Sequence, residues 1–377
     1  MTIMNPSYDV AVVGAGICGL AHAWAAARRG ARVIVFERER RSLGASIRNF
    51  GMVWPVGQSA GEDHTLAMNS RSLWCELAAA AGFWVHECGS IHLAHRDDEW
   101  DVLQEFAAQS AELGYDCQLL TAGEVSQKTD AANPDGLLGG LWSPTELCVD
   151  PRQVLQIFPE FLSSQCQVDM HFETPIRSVA DHAIQSTDGN TWHAQEVIIA
   201  TGADFKSLFP DAYVDSGLKA CKLQMLRTVA QTQHRVGPHL ASGLTQRHYA
   251  NFSVCPSLTR VKQRVAEETP ELDHYGIHVM ASQNHQGEVV LGDSHEYGDA
   301  ITPFHRDKID ELILRELQQV LRLATWTIAE RWSGIYAKNP HRNVFEKQLP
   351  DNVRIVTGLG GAGMTLSLGI GARNLAD

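Results

Sequence analysis

The chain has 377 residues, enough for two domains of ordinary size, and its 44% hydrophobic and 20% charged residues exclude a disordered or fibrous protein. A formal net charge of -13 opposes contact with a phosphate backbone, so no nucleic acid partner is expected, although a small anionic substrate remains compatible. The eight cysteines form no CxxC pair and show no zinc-ligand spacing; no metal is expected, and reduced thiols fit a cytoplasmic location.

Residues 8–13 are apolar and valine-rich, the pattern of a buried parallel strand. Gly14, Gly16 and Gly19 follow at GxGxxG spacing, then an alanine-rich helical stretch to Gly30, then a second strand from Val33 to Phe36 that ends on Glu37 and Arg38. In such a unit the first glycine permits the tight turn, the second lets backbone approach a pyrophosphate, and the third lets helix and strand pack. The helix amino terminus offers unpaired N–H groups and a positive dipole end to the phosphates. Glu37 is placed to bind an adenosine ribose and would repel the 2′-phosphate of NADP. Val10 to Ala27 carries no Asp, Glu, Lys or Arg, but three glycines and His22 interrupt it; a buried strand and helix are expected there, with no membrane span.

Further along, residues 196–204 form a strand ending in Ala200-Thr201-Gly202, and the region from Asn352 predicts a last strand followed by Gly358, Gly360, Gly361 and Gly363 and a helix from about Met364. Between these lie strand patterns at 222–229, 276–281 and 288–291, a hairpin turn at Asn284–Gly287, and a polar-faced helix from Asp307 to about Leu321.

The amino-terminal fingerprint, the loop Gly44 to Asn49, the Ala-Thr-Gly strand and the segment Thr357 to Thr365 together resemble the D-amino-acid oxidase, glycine oxidase and sarcosine oxidase superfamily over the whole chain. The resemblance implies noncovalent FAD. It also implies an α/β fold, in which a Rossmann-type FAD-binding domain interleaves with an α+β substrate domain on a mostly antiparallel sheet. The FAD domain would gather residues 1–80, 145–215 and 330–377, and the substrate domain 81–144 and 216–329. FAD contacts are expected from Gly14, Gly16, Gly19, Glu37, Arg38, Ser46, Arg48, Asn49, Thr201, Gly202, Gly358, Gly360, Gly361, Gly363, Met364 and Thr365. The chemistry implied is oxidation of a C–N bond by hydride transfer to the flavin, then hydrolysis of the imine, with O2 as acceptor and no catalytic triad.

The chain departs from the amino-acid oxidases where they hold a carboxylate. Tyr336 stands at the position of their clamping Arg, Thr365 at that of a substrate Lys in sarcosine oxidases, and Val290 near that of their oxygen-activating Lys. Residues Ser46 to Gln58 resemble instead a clade associated with phosphonate catabolism, which implies an aminoalkylphosphonate or its N-methyl derivative as the small anionic amine. A phosphonate needs several donors, and the candidates are His278, Tyr336, Lys338, His295, Arg48, Lys222 and Arg247, with Tyr249 as a further pocket residue. Two alternatives stay open: a glycine, sarcosine or D-amino-acid oxidase, and a flavin dehydrogenase using an acceptor other than oxygen.

Overall fold

The computed structural model describes residues 7–298 and 300–376. Two large sheets organise them. The first has eight strands, and its centre is parallel: Val353–Thr357, Thr191–Ile199, Ser7–Val13, Val33–Phe36 and Asp169–His171 lie side by side in that order. Both faces of these strands are covered by other elements, so they are near-continuous runs of valine and isoleucine rather than alternating patterns. Val10 lies opposite Val33 on one side and Glu196 on the other, which brings the carboxyl ends of three strands to one edge. The hairpin Ile176–Ala180/Ala183–Ser186 extends the sheet antiparallel from the early part of Thr191–Ile199.

Three helices cover one face of this sheet. The terminal helix Gly363–Asn374 lies against both Ile17–Arg28 and Glu62–Ala81. Its glycines explain the close approach: a Cβ at Gly371 would lie 2.8 Å from the Ala21 backbone, and one at Gly369 would lie 2.8 Å from Leu66 O. His22 fastens the same contact. Its Nδ1 lies 2.7 Å from Cys18 O and donates to it, and its Nε2 accepts from Asn374 Nδ2 at 3.1 Å.

The second sheet has nine strands and is mostly antiparallel, centred on Lys219–Thr228, Val289–Gly292, Met280–Gln283 and His239–Ala241. The long strand Ile328–Lys338 pairs with Lys219–Thr228 along its whole length. Side chains alternate between its faces as the pleat requires. Leu226, Leu240, Ala281, Val289 and Leu291 point to one face and pack against the helix Asp307–Val320 through Ile309, Leu312, Ile313 and Leu317. Spacing of i, i+3, i+4 and i+8 puts those four on one stripe, and burying each contributes roughly 1.5–3 kcal/mol. The helix start is anchored by polar contacts: buried Asp310 accepts from Gln224 Nε2 at 2.9 Å and pairs with Arg331 Nε at 3.1 Å. The opposite face presents Cys221, Leu223, Met225, Val290 and Tyr336.

The architecture is the expected one, a Rossmann-type parallel sheet interleaved with a mostly antiparallel one. One element differs. The strand expected over 276–281 begins only at Met280, because Gly276 adopts φ 56° and turns its chain under His295, where a Cβ would come within 2.8 Å of the histidine Cβ. No helix among the described residues is long and apolar enough to cross a membrane.

Candidate active site

At the carboxyl edge of the parallel sheet, three loops meet. Gly14 has φ 107°, and a Cβ there would lie 2.4 Å from Ala200 O, so the first turn is packed backbone to backbone against the Ala-Thr-Gly strand. A Cβ at Gly19 would overlap Gly14 O at 1.9 Å, which is the helix-to-strand closeness the third glycine serves. The Glu37 carboxylate accepts Ala15 N at 2.9 Å and Glu39 N at 3.1 Å, bracing the turn from the second strand. Beside it, Arg38 Nη1 pairs with Asp204 Oδ2 at 2.8 Å and ties the second strand to the third loop. Ser46 Oγ accepts Ile17 N at 2.9 Å, so the loop Gly44 to Asn49 folds over the amino terminus of the first helix near Gly16. Asn49 shapes that loop by donating to Ser46 O at 2.8 Å and accepting Gly51 N at 2.8 Å. An open cleft of about 1090 Å³, lined in part by Arg40, Arg41, Arg48 and Arg152, flanks the same loop.

The terminal glycine segment completes this edge. Thr357 Oγ1 donates to Gly202 O at 2.6 Å, and Thr201 Oγ1 to Asp204 O at 3.3 Å. Gly358 and Gly360 have positive φ and are crowded, with Leu218 and Lys338 respectively at 2.7 and 2.6 Å from a built Cβ. Gly361 and Gly363 are different: a Cβ on either would meet nothing within 4 Å. They form an open cradle before the amino terminus of Gly363–Asn374, which has no side-chain cap. Unpaired N–H groups at such a terminus favour negative charge, so a dinucleotide with an electron-accepting ring fits these residues. Met364 O accepts Trp74 Nε1 at 2.7 Å and Thr365 Oγ1 accepts Trp54 N at 2.9 Å; both are turned into the packing.

Above that edge stands the inner face of the nine-stranded sheet, which with the segment Phe50 to Trp54 would wall a substrate chamber. Its apolar wall is Phe50, Met52, Trp54, Met225 and Met280. Its polar wall brings together four of the candidates. The His278 ring is 4.8 Å from that of His295 and 6.1 Å from that of Tyr249, and His295 is 6.3 Å from Tyr336. Tyr249 donates to Met280 Sδ at 3.3 Å. Tyr336 lies opposite Cys221, which lies opposite Tyr297, so sheet register alone lines up these three. Burial holds His278 and His248 neutral, well below the usual imidazole range, and raises the phenol of Tyr336.

The cations divide sharply. Arg48 donates to Ser333 O at 2.9 Å, joining its loop to the long strand. Lys222, a candidate anion ligand, is instead fully buried, donating to Thr302 O at 3.0 Å and to Phe304 O. Arg247 pairs with Asp273 and donates to Ile277 O at 3.1 Å. Lys338, two residues past Tyr336 on the same strand face, packs over Gly360 and has no carboxylate partner among the described residues; burial lowers its pKa. Sequence reasoning passed over Asp293, Cys221 and Tyr297. An acid directly after a valine-rich strand and glycine, two residues before a candidate histidine, was the available signal for Asp293.

The chain matches the family model described as FAD dependent oxidoreductase over residues 9–376. It is 29% identical to a glycine oxidase of Geobacillus kaustophilus over 210 residues, an alignment that spans 53% of this chain and only 56% of that relative. A glycine oxidase of Bacillus licheniformis is 23% identical over 95% of this chain and 88% of its own length. The solved structure of glycine oxidase from Bacillus cereus ATCC 14579 superposes with a TM-score of 0.78 at 18% identity, covering 98% of this chain and 94% of that one, a likeness of fold.

Proposed function

The chain belongs to the FAD-dependent oxidoreductase family named above, and on that premise we propose that it oxidises the C–N bond of a small amine with an anionic tail, first among them an aminoalkylphosphonate or its N-methyl derivative. FAD would be held by the fingerprint glycines, Glu37, the Ser46 loop and the terminal glycine cradle, and when bound it supplies the two-electron sink. The chain's own residues do the rest. Phe50, Met52, Trp54, Met225 and Met280 exclude water, and a dry wall favours the neutral amine, the form that can give up hydride, over the ammonium.

The observation that carries the anionic tail is the division among the cations. Of the basic candidates, Lys338 alone has an ammonium without a carboxylate or carbonyl partner among the described residues, and it stands beside Tyr336. A point-charge lysine beside a phenol supplies separate donors from different directions and so suits a tetrahedral anion, although an Arg fork would grip either a carboxylate or a phosphonate. Val290 bears on the acceptor. It is buried against Met225 and Tyr336, near the place that the resemblance gives to the oxygen-activating Lys of sarcosine oxidases, which favours, as a second reading, an acceptor other than O2.

The test is anaerobic mixing of the flavin-loaded protein with 2-aminoethylphosphonate, its N-methyl form, glycine and sarcosine. Bleaching of flavin absorbance by the phosphonates and faster than by the carboxylates is expected. Bleaching by glycine or sarcosine alone would sink the phosphonate reading. Air reoxidation slower than reoxidation by a quinone would decide for the second acceptor.

A further inference from the structure

The polar wall of the chamber contains a group that C–N oxidation does not require. His278, Asp293 and His295 each offer one ligating atom within 4.8 Å of the others. His278 Nδ1 lies 3.6 Å from Asp293 Oδ1, and His295 Nε2 lies 3.8 Å from Asp293 Oδ2. The backbone fixes the group before anything binds: Asp293 N donates to His278 O at 2.9 Å and His278 N returns a bond to Asp293 O at 3.3 Å.

Hydrogen positions decide what this group can take. His295 Nδ1 faces Gly276 O at 2.9 Å, and a carbonyl only accepts, so Nδ1 holds the ring proton. In the neutral ring Nε2 then carries the lone pair and faces the Asp293 carboxylate. The Gly276 carbonyl reaches that position because the glycine has φ 56° and no Cβ to strike His295. Nearby, His278 Nδ1 and Asp293 Oδ1 have no hydrogen-bond partner, although the two residues are only 6% and 5% exposed. Orphaned buried polar atoms cost about 1–3 kcal/mol each, so their persistence in facing positions points to an occupant.

We propose that His278, Asp293 and His295 form a divalent-metal site of the zinc class on the chamber wall, with an open coordination position for water or an anion oxygen. The separations favour a metal over a shared proton. A charge-assisted N–H···O bond closes to about 2.7–2.9 Å, well inside the observed 3.6 and 3.8 Å. A metal bound at about 2.0–2.2 Å with tetrahedral angles holds its donors roughly 3.3–3.6 Å apart, so the 3.6 and 3.8 Å pairs need only a small closure of the side chains onto the ion. Two imidazoles and one carboxylate are a zinc donor set, and the carbonyl behind His295 is the outer partner that orients a ligating imidazole. Cysteine spacing gave no reason to expect a metal, because this donor set contains none. The inference stands on these three side chains and not on which amine is oxidised.

The test uses tag-free, flavin-loaded protein, stripped with a chelator and titrated with Zn²⁺ and with Co²⁺ by calorimetry, with bound metal counted after desalting. One ion per chain is expected. Asp293→Asn and His278→Gln, which keep shape on two different segments, should each weaken binding by about 100-fold or more while retaining flavin. No stoichiometric metal on the wild-type protein would overturn the proposal. So would equal binding by a variant whose flavin content matches wild type, which would move the ion elsewhere.

Discussion

At the flavin edge, position is set by backbone: Gly14 against Ala200, Gly19 against Gly14, and two open glycines before the terminal helix. At the chamber wall, position is set by side chains from distant segments that sheet register brings together, as Tyr297, Cys221 and Tyr336 are. At Gly14 and Gly19 the first arrangement has no room for a Cβ, and at the open glycines the room is left for a dinucleotide, whose phosphates are read by N–H groups that every residue carries. The second can exchange Arg for Tyr or Lys for Val without altering the strands, which makes it the part free to change substrate. On the proposed reading, cofactor binding resides in one region and specificity in the other.

The sharpest way to break that contrast is at the glycines. Gly14→Ala puts a Cβ on backbone at positive φ, and a loss of roughly 3 kcal/mol or more with colourless purified protein is expected. Gly361→Ala enters open space, so the flavin-free protein should melt unchanged while flavin retention falls. Thermal melts with and without added FAD check both. Equal behaviour of the two variants would refute the distinction between packing and binding glycines.

The outer face of the chamber sheet predicts a different outcome. Leu312 is 1% exposed between the helix Asp307–Val320 and the sheet, and Leu312→Ala should cost about 2–5 kcal/mol in denaturant unfolding. Substrate affinity of the folded fraction should hardly move, because the face that Leu312 covers is opposite the chamber. A selective rise in KM at full folding would show that the two faces are coupled.

That contrast also marks what could be read in advance. The fingerprint, the Ala-Thr-Gly strand and the terminal glycines were legible because each encodes a local backbone requirement. The chamber was legible only as a set of residue types. Nothing local in the Lys222 strand reveals that the loop carbonyls of Thr302 and Phe304 bury its ammonium. Nor could spacing show that Asp293 would sit between two histidines, since that depends on Gly276 turning the chain before the strand at Met280. Long-range register and burial are tertiary facts, invisible to periodicity.

Buried histidines compare the two regions in acid. Desolvation lowers His22, beside the parallel sheet, to about 4, and lowers His92 and His239, in the other sheet, to about 3 and about 4. Their folded values lie below the unfolded value of 6.5, so the unfolded chain binds more protons as pH falls. Stability is thus full above 6.5 and drains away down to the folded values, about 2 kcal/mol per histidine at pH 5. His92 and His239, with His278 and His248 lowered beside them, outnumber His22 and predict that the nine-stranded sheet loses protection first. Amide hydrogen exchange at pH 7.5 and pH 5 checks the order, and earlier loosening of the parallel sheet would reverse it.

The smallest effect is the most informative about specificity. Lys338 has no carboxylate partner to release, so Lys338→Met removes a charge without stranding another and keeps the stem that packs over Gly360. Stability should therefore change little. If the ammonium holds the substrate's anion, KM for an anionic amine should rise about 10- to 100-fold, the equivalent of roughly 1.4–2.8 kcal/mol. An uncharged amine of similar size should show no such rise, because it never used the charge. The loss of affinity should be larger for a doubly than for a singly ionised tail, so the substitution should raise KM for the phosphonate by a larger factor than KM for a carboxylate. Arg48→Met gives the internal control: its guanidinium is spent on Ser333 O, so its loss should loosen the flavin loop and leave the ratio of phosphonate to carboxylate KM where it was. If that ratio moves with Arg48 and stays fixed with Lys338, the anion lies on the flavin side of the chamber and the division of labour between the two regions fails.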